Sequence, residues 1–475
     1  MILFYFVIIS VVFALFTFFN NNKILDYICA ILYSLMQIGI SVYSYQNINT
    51  FDSVYFRFDS LSVLMNVLLS IILIPVFYHS RFYLNRHVPE FNMRSRFLSL
   101  LIILSSALSC IYFTDNIVII WVCLEITTIV VTFLIYHERY TAALEAAWKY
   151  LFISSFGIIV AFIGILLLSV HGHRVSESGF SYVNLIKNAK NIDPFFLKAA
   201  FLLLVTGYSV KLNIFPLYTA TIDAKTTAPF PVNAVASTVL INGGFVAIFR
   251  IYSIILNTDS GLWAKNVLLI IGLLSLLIVA IQLFKVKRFK KMYAFSSMEH
   301  MALVIIAMSL GRTGLYAALL HLTLHSIAKT GMFLHFGQIR AYFNSGWIYE
   351  TGGYMRLNGR SALAYIFGLI TITAIPPSGM FVSEFLILKA LFAEGQYLII
   401  FLIIALLIVI VYVMFHYSAQ FLYGDLPESF NIKTSIVNKY EPISQFILFG
   451  LVFYLAYFTP SFLNQLMNSV VQILN

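Results

Sequence analysis

The sequence predicts an all-α, polytopic integral membrane protein of about fourteen transmembrane helices, and three observations carry that prediction. Of its 475 residues, 61% are hydrophobic and only 10% are charged. The mean hydropathy is +0.92, more apolar surface than a water-soluble domain uses. Apolar runs of about 20 residues, the length that crosses a bilayer core, recur along the whole chain. Basic residues collect in loops that fall on one side of a fourteen-span arrangement.

The spans are expected at 1–19, 24–46, 59–79, 98–114, 116–136, 142–170, 195–216, 229–256, 265–284, 292–310, 314–339, 361–393, 396–423 and 443–469. The first run lacks a basic start and a small-residue cleavage site, so it reads as span 1 rather than a signal peptide. Spans 4 and 5 are divided by the short turn "TDN", which holds Asp115. Loop 80–97 carries Arg81, Arg86, Arg94 and Arg96, loop 285–291 ("KVKRFKK") carries five basic residues, and loop 340–360 adds Arg340, Arg356 and Arg360. The positive-inside rule makes that side cytoplasmic. An even span count then places both termini outside a cell (plasma) membrane. The net charge of +10 is explained by these loops, and no nucleic-acid partner is expected.

Two spans look broken. Span 7 holds "KLNIFP", with Pro216 five residues after Lys211, and span 12 holds "IPPSGMFVSEFLIL", with Pro376, Pro377 and Gly379 ahead of Glu384. Proline removes a backbone donor and clashes with the preceding turn, so both spans are expected to be discontinuous. They lie five spans apart, which suggests two inverted five-helix repeats, spans 4–8 and 9–13. Paired breaks in matching positions point to an ion site at mid-membrane. The resulting organisation is 1–97 for the first three spans and a basic loop, 98–256 and 265–423 for the repeats, and 443–475 for the last span.

Ionisable side chains inside a bilayer cost about 3 kcal/mol on insertion scales, so they persist when paired, hydrated or used. Glu125 sits mid-span in "IIWVCLEITTIVV", Lys149 in "LEAAWKYLFISS", and Lys211 just before the span 7 break. Span 11 carries His321, His325 and Lys329 at i, i+4 and i+8. That spacing puts all three on one face, about 6 Å apart along the axis, as a proton relay through water requires. Glu384 follows the span 12 break, where freed backbone groups collect water. Together these residues suggest a polar axis. The alternative expectation for Glu125 is a structural partner for a lysine such as Lys149 or Lys211, a reading compatible with conduction, since a carboxylate that swaps lysine partners would serve as a gate. Asp59, Lys198, Lys265 and Lys389 lie nearer span ends and are expected to reach the interface.

No cofactor is expected in this chain. Cys29, Cys110 and Cys123 are far apart in sequence, and no phosphate loop or dinucleotide fingerprint occurs. Two histidines at i, i+4 suit a metal, but no Asp or Glu lies between them and no third ligand is evident, so no metal is expected either.

With these residues placed, positions 55–425 resemble the antiporter-type subunits of respiratory complex I and its relatives. Lys211 and Pro216 followed by "TIDAKTTAPFPVNA", "HLTLHSIAKTGMFLHFGQI" and "GMFVSEFLIL" occur in the family's order. "LEAAWKYL", "SSMEHM" with Glu299 and His300, "PPSGMFVSEFLIL" and Asn242 are most similar to the hydrogenase-4 component F group. The resemblance implies a proton-translocating membrane subunit, coupled to a soluble redox arm and other membrane subunits that hold the cofactors. It also implies H+ or Na+ as the ion, with Asp223, Asn242, Glu299 and His300 on the pathway or supporting it. Where the family's loop after span 7 carries two histidines and a tryptophan, this chain has Tyr218, Lys225 and Ala220, while Asp223, Ala228 and Pro229 remain. A cation/proton antiporter subunit, the membrane half of an inorganic-carbon uptake system and a non-conducting anchor are the alternative readings.

Overall fold

The computed structural model describes residues 1–20, 22–87, 91–172, 180–343, 345–427, 438 and 440–473. Among them the regular structure is helical, with isolated β-bridges only. In chain order the helices are α1 (Ile2–Phe19), α2 (Lys23–Gln46), α3 (Ser60–His87), α4 (Phe91–Phe113), α5 (Ile117–Ile135), α6 (Thr141–Gly172) and α7 (Tyr182–Asn188). There follow α8 (Pro194–Leu212), α9 (Thr219–Thr227), α10 (Phe230–Ala236), α11 (Val239–Leu256), α12 (Gly261–Leu283), α13 (Phe289–Ser309) and α14 (Arg312–Phe343). The last are α15 (Tyr354–Leu357), α16 (Gly359–Ile372), α17 (Gly379–Ala393), α18 (Tyr397–Tyr423), α19 (Ile443–Tyr457) and α20 (Ser461–Gln472).

Eleven spans among the described residues are long and apolar enough to cross a membrane, or twelve if α19 and α20, bent by 65°, count as one. The difference from fourteen lies at two further places. The polar stripe of α14 lowers its hydropathy, and the span expected at 361–393 is split into α16 and α17. The outer helices are apolar on the surface, as lipid requires: Phe152 and Phe156 on α6 and Leu398 and Phe401 on α18 are exposed. Inner helices bury nearly everything, α13 from Met292 to Ser309 and α11 from Val239 to Ile255.

Local chemistry sets the helix ends. Asn116 caps α5 by accepting from Val118 N and Ile119 N, and Asp193 caps α8 just ahead of Pro194. α8 stops at Leu212, where Asn213 takes a left-handed conformation, and the helix resumes only at Thr219, past Pro216. α16 stops at Ile372, and Ser378 caps α17 beyond Pro376 and Pro377. Glu384 lies in the second turn of α17.

The chain divides into two compact units, one of Met1–Val232, Val239–Val267 and Phe462–Asn475, the other of Asn233–Thr238 and Leu268–Ser461. In the first, α8 packs against α6 and α11. A Cβ on Gly207 would meet Ala161 N at 2.7 Å, so only glycine lets the α6 and α8 backbones approach this closely. In the second, α14 is the central element, packed on α13, α16, α17 and α19. Its 32 residues span about 48 Å, more than a bilayer core.

Candidate functional site

Lys211 is in the last turn of α8, and that position is favourable for a cation because the helix ends in unpaired carbonyls. It is only 2% exposed. Its ammonium donates to Thr128 Oγ1 at 2.7 Å, Thr127 Oγ1 at 3.2 Å and Tyr150 OH at 3.4 Å. Both threonine hydroxyls donate to Leu124 O, so their lone pairs are left for the lysine. Glu125 is on the same α5 face as Thr128, three residues away. Ser155 donates to Glu125 Oε1 at 2.6 Å, while Oε2 is buried without a hydrogen-bond partner.

Two expectations are corrected here. Glu125 does not pair with Lys149, and it acts on Lys211 by charge without a salt bridge. Lys149 instead turns to the surface of α6, 51% exposed, and pairs with Glu145 at 2.6 Å. The reason is register: Lys149 and Glu145 are one turn apart on a helix whose buried face carries Ala146 and Tyr150. Asp59, at the N-terminal end of α3, turns inward rather than snorkelling. It is buried, bonded to Arg250 at 2.9 Å, and caps α3 by accepting from Ser62 N. Arg250 also donates to Ser62 Oγ and Tyr112 O. Asp59, Arg250, Asp115, Tyr182 and Arg57 line a cavity of about 370 Å³. Asp115 accepts there from Ser181 Oγ, with its second oxygen and the Tyr182 hydroxyl buried and unpartnered. Lys198 lies over the Trp263 ring, Lys265 is half-buried and Lys389 is exposed.

In the second unit the stripe on α14 meets α13 and α17. His321, His325 and Lys329 are fully buried. His321 Nε2 is 3.2 Å from His300 Nδ1, and His300 Nδ1 is 3.9 Å from Glu384 Oε1. The His300 and His325 rings are 5.3 Å apart. Ser383 Oγ donates to Met380 O, so it accepts from His321 Nδ1 at 2.9 Å. Neutral His321 therefore turns its Nε2 lone pair to His300. One turn beyond His325, Lys329 donates to Tyr293 O at 3.1 Å and lies over the Tyr293 ring. Tyr293 OH donates to Tyr365 OH at 3.1 Å, and Tyr365 meets Ser418 Oγ at 2.9 Å. Glu299 is buried next to His300, with Oε2 unpartnered.

The structure thus brings His300, His321, His325 and Glu384 into one cluster, with Lys329 and Glu299 on the same two helices. Asn242 is buried in α11, and Asp223 is half-buried in α9. Pro216 lies between α8 and α9, and Pro376 and Pro377 between α16 and α17, where Gly379 opens α17. Reasoning from sequence missed Tyr293, Tyr365, Ser383, Ser418 and the Asp59–Arg250 pair. Lys225, buried in α9, was noted only as a departure from the family's histidine.

A family model described as NADH:quinone oxidoreductase/Mrp antiporter, TM, matches residues 114–410, more than half of the chain. A hydrogenase-4 component F homolog from Methylacidiphilum infernorum (isolate V4) is 30% identical over 289 residues, covering 60% of this chain and 61% of that protein. This chain therefore matches about three fifths of that relative's length. The F(420)H(2) dehydrogenase subunit M of Methanosarcina mazei (strain Goe1) is 25% identical over 438 residues, covering 87% and 86% of the two chains. Among solved structures, a chain of the membrane-bound sulfane sulfur reductase, an archaeal respiratory membrane complex, superposes with a TM-score of 0.86 at 19% identity, covering 100% of this chain and 97% of that one. That likeness shows the fold.

Proposed function

We propose that this chain, which belongs to the NADH:quinone oxidoreductase/Mrp antiporter transmembrane family, moves protons across a cell membrane as one subunit of a redox-driven complex. The observation that carries the proposal is the buried Glu384–His300–His321 cluster beside a broken helix, extended along α14 by His325 and Lys329. Each of these groups takes up or releases a proton, and a titratable run inside a membrane bundle is the usual mark of a proton route. The imidazole nitrogens favour H+ over Na+, which prefers a shell of oxygen ligands. In this reading His321 accepts a proton at Nε2 from His300 while Ser383 holds its other nitrogen. Glu384 exchanges protons with water at the break.

The names of the relatives, a hydrogenase-4 component and a dehydrogenase subunit, support placing electron transfer and its cofactors in partner subunits. Asp223 and Lys225 in α9 are assigned to the cytoplasmic mouth, in place of the family's loop histidines, and Asn242 supports the path from α11. The basic loops face the cytoplasm and both termini face outward.

Glu384→Gln keeps the side chain's size and removes its proton. In vesicles energised through the complex, this change should lower ΔpH formation about a hundredfold per assembled complex, the scale of a positioned acid–base group. Wild-type pumping by Glu384→Gln would remove the cluster from the route.

A further inference from the structure

We propose that His300, His321 and Glu384 also bind a divalent transition-metal ion of the zinc class, and that the bound ion blocks proton movement. The binding half stands on geometry alone; the blocking half rests on the proton reading above.

One ligand comes from each of α13, α14 and α17, which pack against one another. Their donor atoms lie within 4.8 Å of one another. Tetrahedral zinc with bonds of about 2.0–2.1 Å separates its ligand atoms by roughly 3.3 Å. His300 Nδ1 and His321 Nε2, at 3.2 Å, already stand at that separation, and metal binding moves the His300 proton from Nδ1 to Nε2. The Glu384 oxygen, at 3.9 Å from His300, has to close by about half an ångström on that side, a small rotation for a glutamate. The span 11 pair His321 and His325 is not the ligand pair; the partners of His321 come from other helices, out of reach of any local motif.

The surroundings fit a metal centre. Ser383 accepts from His321 Nδ1, which fixes the tautomer and turns the Nε2 lone pair into the site, the role an outer-shell partner has at zinc histidines. Three protein ligands leave a fourth position for water, as at exchangeable zinc sites. Both imidazoles are fully buried, whereas the Glu384 side chain keeps 13% of its surface exposed. The Glu299 carboxylate, buried next to His300 with one oxygen unpartnered, offsets part of the charge added by a divalent ion. Two nitrogens and one carboxylate select zinc, cobalt or nickel over Na+, Mg2+ and Ca2+, which require oxygen shells. The metal takes up the His321 lone pair and the Glu384 oxygen that the proton route uses, so the two cations compete.

The test is Co2+ titration of the full chain in its detergent-extracted complex, stripped of loosely held metal with a chelator. The expected result is one equivalent with the visible absorption of tetrahedral cobalt, displaced by Zn2+. That equivalent should be lost in His321→Gln and in Glu384→Gln and kept in His325→Gln. Ser383→Ala leaves all three ligands and should weaken Co2+ binding about tenfold or more. An absorption band unchanged in the ligand variants, or no band in the wild type, overturns the site. Zn2+ is then added to wild-type vesicles that already pump. Binding with undiminished ΔpH overturns the blocking half. Vesicles that never form ΔpH, even without metal, count against the proton reading and leave the binding result standing.

Discussion

Lys211 and Lys265 show how environment, not residue type, separates a working lysine from an anchoring one. Lys211 is sealed among three hydroxyls at the end of α8 with no carboxylate in contact, and Lys265 is half-buried in the first turns of α12. An ionisable side chain held inside a membrane bundle by hydroxyls alone is placed as a proton carrier would be. Lys211→Met should therefore lower proton flux about tenfold or more, and Lys265→Met should change it little. Equal losses would show that burial does not distinguish them. The α14 stripe allows a sharper test. If protons pass along this face, His325→Gln and Lys329→Met each slow flux per assembled complex, and their combination is little worse than the stronger single change. If the residues only hold helices together, assembly falls while flux per complex stays constant.

At the scale of elements, close helix approach is what places these side chains. Gly207 and Lys211 are one turn apart on α8, and the same α6 face meets both, through Ala161 and Tyr150. Gly207→Val would push α8 away from α6 and draw the ammonium from its hydroxyls. Overpacking of this kind costs about 1–3 kcal/mol. The melting temperature in detergent should drop and proton flux should fall with it, whereas Gly39→Ala, with nothing within 4 Å of its new methyl group, should be silent. A stable, active Gly207→Val would show that α6 and α8 have room to separate. The breaks after α8 and α16 were legible in the sequence from Pro216 and from Pro376 and Pro377, although a proline alone does not decide: α3 runs on through Pro75. Other interruptions were not. Residues 443–469 read as one span, yet the helix stops at Tyr457 ahead of Pro460 and turns by 65°. The span expected at 229–256 is divided between Ala236 and Val239, where no proline marks the gap.

For the whole molecule, composition and loop charge made the membrane class legible, because the bilayer imposes length and polarity on every span. Individual site residues were legible, His321, His325 and Lys329 from their spacing on one helix and Lys211 and Glu384 from the prolines beside them, but the contacts between helices were not. Arg250 meets Ser62 across 188 residues of chain, and Tyr293 meets Tyr365 across 72, so no local spacing announces either contact. Orientation is the remaining property of the whole chain, and the basic loops supply its argument. In the second unit, two loops expected on one side are bonded together: Ile348 N donates to Lys287 O, Phe289 N donates to Gly346 O, and Arg288 stacks on Trp347 at 4.2 Å. In the first unit, α4 runs from Arg94 near one end to Phe113 beside Asp115, and its 23 residues span about 35 Å, enough to cross the bilayer core. The segment 51–58, bonded to Phe113 and Asp115, therefore belongs to the face opposite the arginines. With Cys29, Cys110 and Cys123 replaced, a cysteine at Val54, where the side chain is 84% exposed, should react with a membrane-impermeant thiol reagent applied outside intact cells. A cysteine at exposed Lys287 should react only after the cells are opened. The reverse pattern would turn the chain over in the membrane, and reaction of both from outside would mean that an even rather than an odd number of crossings separates Val54 from Lys287.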